Sequence, residues 1–366
     1  MKKTAFLTVV AAATLAFCSC TDKQQFNIIG ETDNTALDGK TAYLVPVTSR
    51  DAADSTVVAN GKFIFKGKVE SPYVAYLVVD GQNIASCIVE PGNIKVDIDD
   101  GEVEGTPLND KLDEFIDKLD LDEYQEELNG LYADYRTAPN AAMRAQAEHL
   151  YDSVEAVMNS NIKREAKNVY DNNRNNILGA YAVSLIADMY DITYAELSEL
   201  LEGADPIITE YEPVAKTVER LQCVENTSAG KHYTDVEGIM MATGQTGKLS
   251  DLIDGRLTLV DFWASWCGPC RAEINDNLVP LYKKYGKKGL NIVGLDVWDK
   301  IDKHAEAVQN LGITYPQLID TTRTATNTYG VRSIPQIMLI GPDGTIIARD
   351  LRGAAIEEAV VKALAK

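Results

Sequence analysis

The sequence predicts an α/β domain at the C-terminus, preceded by a small all-β domain and a helical region. Three observations predict this. From about Thr227 to Lys366, strand-like runs alternate with helical periodicity. From Phe26 to about Val103, short alternating runs are broken by Gly, Pro, Asn and Asp. Between Leu108 and about Leu221 the apolar spacing is that of helices. The boundaries expected are therefore 1–19 for a leader, 26–107 for the β domain, 108–226 for the helical region and 227–366 for the α/β domain. A length of 366 residues suits two or three domains at roughly 150 residues each.

The leader is read first. Lys2 and Lys3 precede the uncharged apolar run Ala5–Phe17. That run is short of the roughly 20 apolar residues a bilayer span needs and fits the apolar core of a secretory signal. It ends in Leu15-Ala16-Phe17-Cys18-Ser19-Cys20, which resembles a bacterial lipoprotein signal, where the lipidated cysteine follows a small residue. Cys20 follows Ser19 and Cys18 follows bulky Phe17, so the resemblance implies lipidation at Cys20. The expected location is the periplasm, anchored to a bacterial membrane, the outer membrane first. Removing residues 1–19 would leave 347 residues at a net charge of −22, against −20 for the whole chain. So acidic a chain lacks the basic footprint that nucleic acid requires.

In the β region the runs are Thr41–Val47, Lys62–Phe65, Tyr73–Val79, Ala85–Glu90 and Ile94–Ile98. Turn signals fall at Asn60-Gly61, Asp80-Gly81 and Pro91-Gly92-Asn93, and strands so spaced predict a small antiparallel sandwich or barrel. The segments Val89-Glu90-Pro91-Gly92-Asn93-Ile94 and Gly105-Thr106-Pro107-Leu108-Asn109 resemble an uncharacterised β domain found ahead of thioredoxin-like domains in bacterial envelope proteins. In the helical region, Leu112, Phe115, Ile116 and Leu119 form one stripe, and Leu128, Leu131, Tyr132 and Tyr135 another. Leu150, Val154, Val157 and Met158 follow, then a polar break at 171–176 and the apolar segment Ile177–Tyr190. Residues at this spacing, tyrosines included, are expected to face a core.

The chemistry lies in the last stretch. Strand Leu257–Trp263 runs into Ala264-Ser265-Trp266-Cys267-Gly268-Pro269-Cys270, with a helix expected to about Tyr285. Then come strand Asn291–Val297, helix Lys303–Leu311, a short helix near Thr322–Tyr329, and strands Gln336–Ile340 and Thr345–Leu351 joined at Gly341-Pro342-Asp343-Gly344. A helix from Ala354 ends the chain. Two cysteines three apart at a helix start lie on one face, close enough for a disulfide. Cys267 at the helix head meets free amides and the positive end of the helix dipole, which favour its thiolate. It is the expected nucleophile, and Cys270, one turn deeper, the resolving thiol. Gly268 permits close approach of a substrate, and Pro269 fixes φ in the first turn without losing a needed amide. A shielded thiol needs a proton acceptor. Asp261, six residues before Cys267 and on the strand feeding it, fits that role if burial raises its pKa. No second cysteine pair follows, and His149, His232 and His304 show no ligand spacing, so no metal is expected.

The run from Val260 to Cys270 resembles a thioredoxin active site, and Cys270-Arg271-Ala272-Glu273 resembles the envelope TlpA/ResA-like branch of thiol–disulfide oxidoreductases. The resemblance covers roughly 140 residues. It implies a thioredoxin-like fold at the C-terminus and a redox-active Cys267–Cys270 disulfide with no other cofactor. Asp261 matches the buried carboxylate of thioredoxin, whereas Glu273 matches the acid of the ResA-like branch. Carrying both departs from either pattern. The resemblance also implies a cis proline at Pro335, with Ile334 offering its backbone to a bound substrate strand. Trp266 is expected to form an apolar docking rim, and Trp263 to lie in the core. Cys87 and Cys223 read as single core thiols.

Three functions compete. The first is reduction or isomerisation of protein disulfides in the envelope, with disulfide-bearing client proteins as partners and electrons from a membrane donor. The Gly-Pro between the cysteines favours the reducing end, roughly −270 mV for thioredoxin against about −120 mV for DsbA. The second is a peroxiredoxin-like thiol peroxidase, whose relatives carry Thr or Ser three residues before the reactive cysteine, where this chain has Ala264. The third is a client-binding envelope module with an auxiliary dithiol.

Overall fold

The computed structural model describes residues 24–189 and 192–365. The leader and Cys20 lie outside the described residues. The chain divides into two compact units, 1–185 and 186–366.

In the first unit eight strands form two four-stranded sheets. They are β1 (Gln25–Glu31), β2 (Thr41–Pro46), β3 (Asp54–Val57), β4 (Lys62–Lys68), β5 (Tyr73–Val79), β6 (Gln82–Val89), β7 (Gly92–Asp97) and β8 (Val103–Glu104). The sheet orders are β4-β1-β7-β8 and β3-β2-β5-β6. Alternate residues of both sheets, among them Ile28, Phe65, Leu44, Leu77 and Ile94, fill one shared core, which is the period-two pattern of a sandwich. The pairing is not wholly antiparallel as expected, because β1 runs parallel to β7. The two-residue turns hold Asn60 and Gly61 at φ 53° and 70°, and Asp80 and Gly81 at 50° and 81°. These left-handed angles are what tight hairpins between twisted strands need.

The edge strand β6 is closed by a side chain. Helix α1 (Pro107–Leu119) brings Asn109 against Ile88, whose N–H donates to Asn109 Oδ1 at 2.8 Å while Asn109 Nδ2 donates to the Ile88 carbonyl, also at 2.8 Å. A carboxamide thus takes the place of a neighbouring strand at a buried edge. Helices α2 (Leu121–Thr137), α3 (Ala141–Asp171) and α4 (Ile177–Ala187) follow. Leu112, Phe115, Leu119 and Leu128 are buried, but Tyr132, Tyr135, Leu150 and Val157 are exposed. The expected core stripe on α2 and α3 is therefore corrected. Arg136 and Arg144 lie over the rings of Tyr132 and Tyr135, so the amphipathic aromatics are covered by cations on the solvent side.

The division between units falls within α4, so α5 (Tyr194–Leu200), α6 (Pro206–Thr209) and α7 (Glu212–Asn226) belong to the second unit with the α/β part. That unit holds a seven-stranded sheet ordered β10-β9-β13-β12-β11-β14-β15. Its strands are β9 (Glu237–Met240), β10 (Thr246–Lys248), β11 (Leu257–Trp263), β12 (Leu290–Val297), β13 (Gln317–Asp320), β14 (Gln336–Ile340) and β15 (Ile346–Ala348). Strands β11, β12 and β13 are parallel, and β14 runs antiparallel to β11. The remaining helices are α8 (Ser250–Ile253), α9 (Gly268–Glu273), α10 (Val279–Tyr285), α11 (Ile301–Asn310), α12 (Thr324–Thr328) and α13 (Ala354–Leu364). Every residue of β11 is buried, as a central strand covered on both faces requires. Alternation sorts its side chains: Leu257, Leu259 and Trp263 join the core that contains Cys267 and Cys270, whereas Val260 and Phe262 join the core on the other face. Asp261 falls on the cysteine face by the same parity.

Asn109→Ala is expected to leave two buried backbone groups of Ile88 without partners and to destabilise the first unit by about 2–4 kcal/mol. A denaturant titration of wild type and variant checks this.

Candidate active site

The site forms where β11 ends. Ala264, Ser265 and Trp266 turn the chain, and Cys267 caps α9 with its Sγ accepting the backbone N–H of Cys270 at 3.2 Å. Pro269 lies in the first turn, where its missing N–H costs nothing. Cys267 and Cys270 are joined as a disulfide. Cys267 is the less buried of the two, 4% exposed against 0%. After α9 the helix widens into a π turn over Ile274–Leu278 before α10. Pro280 has no N–H for the carbonyl four residues back and crowds it, which accounts for the local widening.

Opposite the disulfide, the Ile334–Pro335 peptide is cis, and the Ile334 carbonyl oxygen lies 3.8 Å from Cys267 Sγ. Trp266 is 61% exposed and its indole N–H donates to the Trp298 carbonyl at 3.1 Å. The backbone N–H of Ser265 donates to Asp299 Oδ2. The loop after β12 therefore fixes the two residues that precede Cys267. Trp263 is fully buried and bonds Gln317 through its indole N–H.

Asp261 is fully buried, and neither carboxyl oxygen has a hydrogen-bond partner. Burial pushes its pKa up to about 8; the Arg352 guanidinium opposes the rise and Glu273 adds to it. A carboxyl whose proton affinity resembles that of a thiol, whose ordinary pKa is roughly 8.5, exchanges protons with it at little cost. Glu273 is partly buried and accepts from Asn277 Nδ2 at 2.6 Å and from the Gly353 backbone at 3.0 Å. It therefore ties α9 to the turn that opens α13, a role the sequence did not suggest. Two residues that sequence reasoning missed also belong here. Tyr315 is buried with an unpartnered hydroxyl, held well above its ordinary range by burial and by Asp261. Arg352 donates from Nη2 to the Pro335 carbonyl. Neither lies within a motif, and only tertiary packing brings them in.

His304 shows no ligand spacing in sequence, yet the fold places it with Asp296 and Asp299. Their ligand atoms lie within 4.8 Å of one another, the one group among the described residues with the make-up of a metal site. His304 Nδ1 is 3.0 Å from Asp296 Oδ1, and both are buried. Burial pushes Asp296 up to about 6, and His304 opposes the rise; the buried side-chain oxygens of Asp296 and nitrogens of His304 have no hydrogen-bond partner. Cys87 and Cys223 are free thiols, Cys87 buried and Cys223 partly so.

A mixed sheet whose central strand leads straight into a Cys-Gly-Pro-Cys helix head, faced by a cis-proline loop, defines a thioredoxin-like domain. Comparison with known proteins agrees. Residues 229–349 match the AhpC/TSA family and residues 26–112 a domain of unknown function, DUF4369. The thiol-disulfide oxidoreductase ResA of Bacillus thuringiensis subsp. konkukian is 31% identical over 128 residues, which are 34% of this chain and 73% of that protein. The chain belongs to the ResA family of thiol-disulfide oxidoreductases. The thiol:disulfide interchange protein CycY of Rhizobium leguminosarum is 37% identical over 119 residues, 31% of this chain. The match spans 61% of CycY and 62% of the Bacillus anthracis ResA, less than two thirds of either. The solved thioredoxin domain of a thiol-disulfide oxidoreductase from Bacteroides vulgatus is 27% identical, with 37% of this chain and 96% of that one covered at a TM-score of 0.35.

Asp261 binds its proton more tightly in the folded protein, at about 8 against an ordinary 3.8. Stability that the protonated carboxyl permits is therefore lost as pH rises from the lower value through the higher one. Asp261→Asn is expected to escape that loss. Denaturation midpoints of the oxidised proteins should diverge across this window, reaching on the order of 2–5 kcal/mol in favour of the variant and levelling off above it.

Proposed function

We propose that the protein reduces or isomerises disulfides of other proteins in the bacterial envelope through the Cys267–Cys270 dithiol. The observation that carries the reading is the Cys270 N–H directed at Cys267 Sγ at the helix head, and it is supported by a buried carboxyl on the strand that feeds the helix, whose proton affinity resembles that of a thiol. In the reduced protein the same amide and the helix dipole stabilise a Cys267 thiolate. That thiolate attacks one sulfur of a client disulfide, forming a Cys267–client bond while the second client sulfur leaves as a thiolate and takes up a proton. Asp261 then accepts the Cys270 proton, and the Cys270 sulfur attacks Cys267. The client leaves with both sulfurs reduced, and the Cys267–Cys270 disulfide carries the oxidation. Two electrons from a membrane donor restore the dithiol.

Trp266 and the Ile334–Pro335 edge supply the docking surface, the exposed indole as an apolar anchor and the Ile334 backbone as a strand partner. Gly268 has open space about its missing Cβ, so a client chain can approach closely. Lipidation at Cys20 would place this chemistry at a membrane surface, and no helix among the described residues is long and apolar enough to cross one. The β and helical parts would then serve client recognition or hold the site away from the bilayer. Against a thiol peroxidase stands Ala264, a buried methyl three residues before Cys267 that offers no hydroxyl to a peroxide.

Cys267→Ser should abolish disulfide reduction, and Cys270→Ala should leave covalent client adducts on Cys267. Mass spectrometry of adducts released by reductant checks both. Full reductase activity in Cys267→Ser, or equal peroxide consumption by wild type and Cys267→Ser, would overturn the dithiol or the peroxidase reading respectively.

A further inference from the structure

We propose that Asp296, Asp299 and His304 form a binding site for one divalent first-row cation of the zinc class, at the end of β12. The site is separate from the dithiol and stands or falls independently of the activity proposed above.

The three side chains come from three kinds of backbone. Asp296 is the penultimate residue of β12, Asp299 lies in the loop that follows, and His304 stands early in α11. Strand, loop and helix thus bring residues without ligand spacing in sequence to one place, their ligand atoms within 4.8 Å of one another. Asp296 and His304 are 1% and 0% exposed, and Asp299 is partly exposed.

The unpaired atoms are what point to an ion. His304 Nδ1 lies 3.0 Å from Asp296 Oδ1, yet neither ring nitrogen of His304 and neither oxygen of Asp296 has a hydrogen-bond partner. Buried polar atoms left unsatisfied are costly and rare. Two lone-pair atoms side by side, close but not aligned as donor and acceptor, are placed like neighbouring ligands of a metal. Bonds of roughly 2.0–2.2 Å at tetrahedral or octahedral angles set such neighbours about 2.8–3.6 Å apart, and the observed 3.0 Å falls inside that range. Asp299, on the loop, is the ligand able to close any wider gap. Its Oδ1 accepts the Lys300 N–H at 2.7 Å and its Oδ2 the Ser265 N–H, and a carboxylate keeps further lone pairs for a metal.

Charge and donor type select the ion. Apart from His304, no basic side chain among the described residues pairs with Asp296 or Asp299, so a dication would balance two carboxylates and a neutral imidazole. One imidazole nitrogen with carboxylate oxygens suits Zn2+ and its first-row neighbours, whereas Ca2+ takes roughly six to eight oxygens and Mg2+ demands near-ideal octahedral oxygen geometry. Asp299 also holds the Ser265 N–H, and the Trp298 carbonyl holds the Trp266 indole. A bound ion would therefore brace the segment before Cys267 from behind.

The test uses the full chain with the Cys267–Cys270 disulfide intact, which keeps those sulfurs from acting as ligands, stripped by chelator and titrated with Zn2+ in a calorimeter. One equivalent per chain is expected. Zinc-edge X-ray absorption of the complex should show a first shell of nitrogen and oxygen with an imidazole signature and no sulfur. His304→Gln and Asp296→Asn should each weaken binding by about a hundredfold, and Asp299→Asn, at the partly exposed position, by about tenfold or more. His232→Gln, outside the group, should leave the affinity unchanged. Absence of zinc binding would overturn the proposal. So would sulfur in the first shell, which would assign the ion to Cys87 or Cys223, or an affinity unmoved in the three ligand variants. Should a buried variant lose its fold, the absorption spectrum of the wild type and the Asp299→Asn titration decide. Neither measurement requires turnover.

Discussion

An ionisable carboxyl with no hydrogen-bond partner, buried on the strand face whose neighbours share a core with the disulfide, is the constraint on which the second unit depends. Burying such a group costs several kcal/mol when it is ionised, and burial accordingly pushes the pKa of Asp261 up to about 8. Its position follows from parity along β11: any one-residue slip would turn it to the opposite core and put a phenylalanine or valine beneath the cysteines. The strand is fixed by neighbours on both sides, β12 parallel and β14 antiparallel. The carboxyl, the helix head and the cis-proline edge thus converge because they sit at matching ends of adjacent strands.

The same geometry explains why the two cysteines differ. Cys267 lies at the helix head, with an amide directed at its sulfur and the cis-proline edge across from it. Cys270 is one turn inward and fully buried, in the core that Leu257, Leu259 and Trp263 of β11 share. In the proposed function, the first sulfur attacks from outside and the second resolves from within. The loop after β12 adds stiffness, since Asp299 and Trp298 each hold one residue of the segment leading to Cys267.

Much of this was legible in the sequence because it is local. The motif from Asp261 to Glu273, strands Leu257–Trp263 and Gln336–Ile340, the turn glycines and the proline at 335 all announce themselves through spacing and residue type. What was not legible is tertiary. Arg352 and Tyr315 reach the site through folds of the chain that no periodicity records, and Glu273 acquires its partner 80 residues later. The tyrosines of α2 read as core because helical spacing cannot tell a buried stripe from a solvent face lined by arginines. The short strands β9, β10 and β13 carry too few residues for alternation to show. The parallel β1–β7 pairing joins segments more than sixty residues apart, beyond the reach of turn signals.

The central claim is that Cys267 and Cys270 act as one two-electron couple. The direct measurement is to equilibrate the full chain in thiol–disulfide buffers of graded potential, alkylate the free thiols and count the labels by mass. The account predicts a single reversible transition in which both cysteines gain their labels together, while Cys87 and Cys223 do not titrate. A disulfide that persists under excess reductant, or labels that appear on one cysteine of the pair without the other, would contradict it.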